Sequence, residues 1–338
     1  MTNKIKSIRQ LGFPWETLDP FLFCVHHLDY YPKANQEMGP AASLQGRNIG
    51  NDFVIKDGWR MYHGDKVPGF PAHPHRGFET VTFVLQGTID HADSAGGAGR
   101  YGNRDVQWMT AGSGLQHSEM FPLLDEENKN TTELFQIWLN LPASKKLVTP
   151  AYKMLWSEDI PAPVFEDANH KETTVDVVAG TIENIHAPEP APDSWAAEKE
   201  HEVAIWQLTM EENAVWKIPV AGSGINRMLY FFEGDSITLE GKIIESGNAI
   251  ELDATQQVTI ENGAKKSRLL LLQGKPIGER VVQYGPFVMN SEAEIQQAFN
   301  DYRKTEYGGW PWPRTDQVFE KNKGRFSRFS DGTELTRD

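Results

Sequence analysis

The stretch HPHRGFETVTFVLQG (residues 73–87) decides the fold. From Gly77 to Gln86 it is rich in Phe, Val and Thr, and it stops at Gly87, so it reads as a β-strand bounded by turn residues. His73-Pro74-His75 reads as the opening of that same strand, with Glu79 further along. Side chains two apart on a strand share a face, so His73 and His75 project together, and Glu79 has the parity of His75. A second pair of this kind, His117-Ser118-Glu119, lies on a run near 115–121. Two such pairs on facing strands bring three imidazoles and one carboxylate to one point, a donor set for a divalent transition metal. Either pair alone reads as ordinary strand histidines near a barrel rim. The second pair is what favours the metal.

Outward from this centre, short β-type runs continue. They lie near 21–28, 88–92, 106–110 and 134–139 in the first half. In the second half they lie near 175–179, 201–209, 214–220, 227–232, 236–239, 248–252, 257–260 and 268–272. Short strands at regular spacing indicate an all-β chain of sandwiches or barrels. TFVLQG (82–87) and LYFFEG (229–234) echo each other as apolar strands ending at glycine, a weak internal repeat. A Pro-rich polar stretch, 142–171, marks the boundary between halves, and 187–200 reads as an exposed loop. One helix is announced by a capping box, Ser291 with Glu294. Ile295, Ala298, Phe299 and Tyr302 follow at helical spacing, and Gly308-Gly309 ends the pattern. This helix is expected to pack its apolar stripe on the second barrel. The tail from Gly309 reads either as a surface wrap or as a mobile end.

Composition narrows the function. The 338 residues are 39% hydrophobic, enough for a sizeable core. There are 33 basic and 47 acidic residues, a formal net charge of −14, the wrong sign for nonspecific nucleic-acid or anionic-membrane binding. The single cysteine, Cys24, forms no intramolecular disulfide and no zinc ribbon. No apolar run approaches the ~18 residues of a membrane helix, and the N-terminus lacks a signal-peptide pattern. A soluble cytoplasmic protein is expected. Gly112-Ser113-Gly114 and Gly222-Ser223-Gly224 lack the context of a phosphate loop, and Ser113 has no nucleophile elbow. The second half offers only scattered histidines, His170, His186 and His201, with no carboxylate partner.

His73-x-His75-x-x-x-Glu79 with Gly87 resembles the first cupin motif, and Gly114-x-x-His117 resembles the core of the second. LDPFLF (18–23), HPHRGFETVTFVLQG (73–87), VQWMTAGSGLQHSEM (106–120) and YGPFVMN (284–290) together are similar to the pirin family. The resemblance implies a bicupin: two stacked β-barrels of jelly-roll type with a C-terminal helix and tail. Its domains would be 1–145, a metal-binding barrel; 146–290, a degenerate barrel without metal; and 291–338, the helix and tail. It implies iron held by His73, His75, His117 and Glu119. Many cupins instead use the position of Glu79 as the carboxylate ligand, so Glu79 is kept as an inner-sphere competitor or nearby acid. An open His/carboxylate site suits Fe(II), while Mn, Ni, Cu or Zn could also bind, copper, nickel and zinc with higher intrinsic affinity. One carboxylate leaves the metal with net positive charge, suited to an enolate or phenolate oxygen, with Glu119 or Glu79 as general base.

The function implied is an Fe(II)-dependent dioxygenase of the quercetin 2,3-dioxygenase type, taking O2 and a small-molecule flavonol or similar enolic or phenolic substrate. The alternative is an iron-dependent, redox-sensing regulatory protein whose protein partner is a transcription factor or metabolic enzyme. A metal-free carbohydrate or storage cupin is a third reading. The sequence departs from the family pattern in two places. Cys24-Val25-His26-His27 follows LDPF where an acidic stretch is usual, and 31–67 is longer than the usual connection. That segment carries Phe53, Trp59, Met61, Tyr62 and His63 and is expected over the metal mouth. His26 or His27 could face the cavity, though each alone reads more simply as a surface or core histidine. Gln136 and Trp138 lie on the last strand of the first barrel, and Gln136 reads more simply as a packing or backbone hydrogen-bonding residue than as a pocket-lining one.

Overall fold

The computed structural model describes residues 4–337. The chain divides into two units. One comprises the segment ending at Cys24 with Glu158–Gly278, and the other comprises Val25–Ser157 with the chain from Glu279 onward. These limits depart from the sequence-based 145 and 290. The cause lies in strand pairing across long separations. Strand Ile5–Gln10 pairs with Asn248–Leu252, and Arg325–Arg328 pairs with Ala98–Gly102. Nothing in the local pattern of an edge strand announces so distant a partner.

The histidine-bearing unit is built from two antiparallel sheets. The first runs in the order Ala151–Leu155, Val106–Thr110, Phe78–Gln86, Asn130–Asn140 and Phe21–Tyr31. The second runs Glu334–Arg337, Arg325–Arg328, Ala98–Gly102, Thr88–Asp93, Leu115–Met120 and Gly69–His75. Among the described residues the sheets remain separate ladders, so the fold is a two-sheet jelly roll and not a barrel closed by hydrogen bonds. The expected single strand through His73 and Glu79 is corrected here. The chain leaves Gly69–His75, turns at Arg76-Gly77 and enters Phe78–Gln86 in the other sheet. Gly77 has φ +84°, and a Cβ there would meet the Val288 carbonyl oxygen at 2.0 Å, so this corner requires glycine. Gly69–His75 lies at the end of its sheet, where prolines 71 and 74 are tolerated.

The other unit repeats the plan. Asn226–Glu233 lies between Asn248–Leu252 and Ser267–Gly274, as Phe78–Gln86 lies between Val106–Thr110 and Asn130–Asn140. Its smaller sheet is Val215–Ile218, Val258–Asn262, Ser236–Leu239 and Lys242–Glu245. The pair Val215–Ile218 and Val258–Asn262 holds the place that Gly69–His75 and Leu115–Met120 hold in the first unit. There Trp216 opposes Ile260 and Ile218 opposes Val258, all within one apolar core with Trp206, Leu229 and Phe231. Each such side chain contributes about 1.5–3 kcal/mol by burial. This unit therefore spends on packing the positions where the other sets imidazoles.

Helix Glu292–Thr305 starts as expected, with Ser291 Oγ accepting the Glu294 N–H at 3.3 Å. Its stripe packs elsewhere than expected. Ile295, Ala298, Phe299 and Tyr302 cluster with Phe287 and Met289, inside the histidine-bearing unit rather than on the second barrel. Polar contacts fix it there: Arg76 reaches Asp301 at 2.8 Å, and Tyr302 Oη donates to Gln116 Oε1 at 3.0 Å. The tail wraps the same unit. Ala72 N–H donates to the Thr315 carbonyl at 2.8 Å, and buried Arg100 holds both Asp90 oxygens at 2.7 Å while donating to the carbonyls of Glu320 and Lys323. Among the described residues no helix is long and apolar enough to cross a membrane.

Candidate metal centre

His73 and His117 are direct partners across two neighbouring strands. The register shifts between Phe70 and His73, a local irregularity of the kind that re-aims side chains. His73, His75 and His117 each offer a ligand atom, and these atoms all lie within 4.8 Å of one another. His75 and His117 are buried, while His73 is partly exposed and forms the open side.

Hydrogen bonding leaves the ring nitrogens available. His73 Nδ1 lies 2.9 Å from the Pro71 carbonyl, which can only accept, so Nδ1 carries the proton and Nε2 keeps its lone pair. His75 Nδ1 and both ring nitrogens of His117 are buried without a hydrogen-bond partner. An unsatisfied buried polar atom costs about 1–3 kcal/mol, so three in one place are a marked departure from ordinary packing. Burial also holds the imidazoles neutral. It pulls His73 down to about 4, and it holds His75 and His117 well below the usual histidine range, with neighbouring imidazoles adding to the effect. Neutral imidazole is the ligating form. The orphaned nitrogens and the donor chemistry fit a divalent transition metal.

Glu119 stands beside this group, its Oε2 3.8 Å from His117 Nε2. Burial pushes its carboxyl up, opposed by hydrogen bonds from Thr82 and Gln136 and by the charge of His91. Gln136 Nε2 donates to Oε2 at 2.7 Å, and the Thr82 hydroxyl lies 2.9 Å from Oε1. Gln136 thus positions Glu119, in place of the packing or backbone hydrogen bond expected of it. Trp138 packs on Phe78 with centroids 4.0 Å apart and meets the His75 ring edge-on at 5.3 Å.

Glu79 does not reach this site. Phe78 and Thr82 both touch it, which sets the even-numbered residues of their strand toward the histidines. Glu79 lies on the opposite face, where its carboxylate accepts from Trp108 Nε1 at 3.1 Å and Thr110 Oγ1 at 2.7 Å. Its roles as competing ligand or nearby acid are withdrawn, because Glu79 lies on the face of its strand turned away from the histidines.

Sequence reasoning missed His91 and Asp93. In register, His91 opposes Glu119 and Asp93 opposes His117. His91 Nε2 lies 3.2 Å from Asp93 Oδ2, its ring is 5.5 Å from that of His117, and its Nδ1 is unpartnered. The signal was available as a third i/i+2 pair, on the run read at 88–92.

His26 and His27 fall outside the ligand group. His26 pairs with Glu133 at 2.8 Å. Buried His27 hydrogen-bonds Tyr62, whose hydroxyl donates to Asp29, itself gripped by Arg60 at 2.9 and 3.0 Å. This network anchors an aromatic wall. Phe53, Tyr62 and His63 pack on Phe70, and Phe70 lies 6.3 Å from the His73 ring. The 31–67 segment thus supplies three of its five noted residues to this flank. Trp59 and Met61 pack instead with Tyr31.

Tandem jelly-roll units, one with convergent imidazoles on adjacent strands, define a bicupin. The pirin family model matches residues 8–139, and the pirin C-terminal cupin domain matches 205–308. The chain belongs to the pirin family. It is 39% identical to Pirin-1 of Arabidopsis thaliana over 261 residues, which is 71% of this chain and 78% of that protein. It is 35% identical to a pirin-like protein of Caulobacter vibrioides over 72% of this chain and 82% of that one. The crystal structure of quercetin 2,3-dioxygenase from Acinetobacter baumannii superimposes with a TM-score of 0.70 at 25% identity, covering 90% of this chain and 98% of that chain.

Proposed function

We propose that this protein is an Fe(II)-dependent dioxygenase of the quercetin 2,3-dioxygenase type, acting on a flavonol or a similar enolic or phenolic substrate. The observation that carries the reading is the convergence of His73, His75 and His117, with buried ring nitrogens of His75 and His117 left without hydrogen-bond partners. His73, His75 and His117 would hold the metal, with Glu119 as the carboxylate beside them. When bound, Fe(II) would supply Lewis-acid activation of the substrate oxygen and one-electron chemistry with O2.

The chain's own residues do the rest. The Pro71 carbonyl fixes the His73 tautomer and ring orientation. Thr82 and Gln136 hold the Glu119 carboxylate, whose raised pKa suits it to take a proton from a substrate hydroxyl. Phe70, with Phe53 and Tyr62 behind it, gives a flat ring an apolar surface beside the open face of His73. The likeness to the Acinetobacter baumannii quercetin 2,3-dioxygenase supports the substrate class. The test is oxygen consumption with quercetin by the iron-loaded protein. Turnover is expected in the native chain and not in His117→Ala. No consumption by the native protein, or equal consumption by both, overturns the proposal.

A further inference from the structure

The unit without the histidines holds a cavity of about 660 Å³, a volume typical of small-molecule sites. Its walls combine apolar Ala179, Val203, Trp206, Pro219 and Ala221 with charged side chains, and it is partly open to solvent. One of its lining residues is Arg227, only 1% exposed. Arg227 Nε donates to Gln273 Oε1 at 2.7 Å, and its Nη1 is buried with no partner. Among the described residues no carboxylate is hydrogen-bonded or ion-paired to this guanidinium. Glu202 and Asp253 act on it only through space. Each is engaged elsewhere: Glu202 accepts the Gly222 N–H at 3.0 Å, and Asp253 accepts from Thr255 at 2.7 Å.

A buried cation lacking its counter-charge is costly unless something neutralises it, and a guanidinium remains charged where a lysine or histidine would release its proton. Its planar donors match a carboxylate. A single fixed cation matches a monoanion. A dianion would face the Glu183, Glu189, Glu198 and Glu202 carboxylates of the same lining, with Arg227 and Lys199 as its formal cations. The apolar walls call for an apolar body on the ligand.

We infer that this cavity is a second ligand site, which binds a small organic monocarboxylate with its carboxylate on Arg227 and its apolar body against Trp206. This inference is independent of the metal reading. The probe is benzoate, titrated calorimetrically into chelator-treated protein, with benzamide as the neutral isostere and phenylphosphonate as the dianion. Benzoate is expected to bind once per chain, with benzamide and phenylphosphonate at least tenfold weaker. Arg227→Met should weaken benzoate at least tenfold. Because that variant removes a buried group and can fail to fold, Ala221→Trp, which fills the cavity and leaves Arg227 in place, should abolish binding independently. Absence of benzoate binding at millimolar concentration overturns the inference. So does binding that Ala221→Trp leaves unchanged, or phenylphosphonate binding tighter than benzoate.

Discussion

Replacing His117 by leucine should stabilise the metal-free protein while removing its response to metal. Both ring nitrogens of His117 are buried without hydrogen-bond partners. At about 1–3 kcal/mol for each unsatisfied group, the native side chain carries a penalty of several kcal/mol. Leucine has a similar volume and no polar atoms, and a near-isosteric core swap costs less than about 1.5 kcal/mol. The expected net gain is about 1–3 kcal/mol, or roughly 2–4 °C in melting temperature per kcal/mol for a unit of this size. With metal present the order reverses. A ligand at 1,000 times its Kd adds about 4.1 kcal/mol to the native protein, and His117→Leu should gain almost none of it. Thermal unfolding of chelator-treated protein, followed by tryptophan fluorescence with and without Fe(II) under anaerobic conditions, reads both effects. The reasoning is refuted if the metal-free variant melts below the native protein and the two respond equally to added metal.

Gln136→Leu removes the 2.7 Å donor that holds Glu119 and should lower metal affinity about 10–100-fold in competition with a chelating dye; unchanged affinity would separate Glu119 from the metal. Arg100→Met leaves Asp90 buried and unpaired and frees the tail carbonyls, so stability should fall by about 3–5 kcal/mol and trypsin should cut faster at Lys321 and Lys323. Burial and the nearby Arg60 charge pull His27 down to about 3 from an unfolded value near 6.5. Between those values the unfolded chain takes a proton that the folded one refuses, so stability should fall with pH across that window and lie level above it. The His27 contribution to the loss from pH 7 to pH 5 is about 2 kcal/mol in urea unfolding, and His27→Asn should flatten it.

Much of this was legible in the residues. The strand runs at 78–86, 106–110, 115–120 and 130–140 carry β-branched and aromatic side chains and end at turn residues, so their pattern survives in the fold. The i/i+2 spacing of His73 with His75, and of His117 with Glu119, placed each pair on one strand. Glu79 was misplaced because Gly77 sits inside an apparently continuous run, and parity says nothing once the chain changes sheets. Helix Glu292–Thr305 was located by its cap and its period. Amphipathicity names the buried face and not the surface that buries it, so its partner was misassigned. The carboxylates of Glu119 and Glu79 differ in their neighbours, Gln136 and Thr82 against Trp108 and Thr110, and those neighbours are set by sheet register, which local pattern does not encode.

Strand Ile5–Gln10 finds its partner about 250 residues later, at Asn248–Leu252. At a synthesis rate of about 5–20 residues per second, the nascent segment emerges from the ribosome roughly 12–50 s before Asn248–Leu252 does. Ile5 and Ile8, which finally lean on the apolar core, stay uncovered for that interval. A ribosome-bound chaperone that shields this segment as it emerges should therefore raise soluble yield more than one acting only after release.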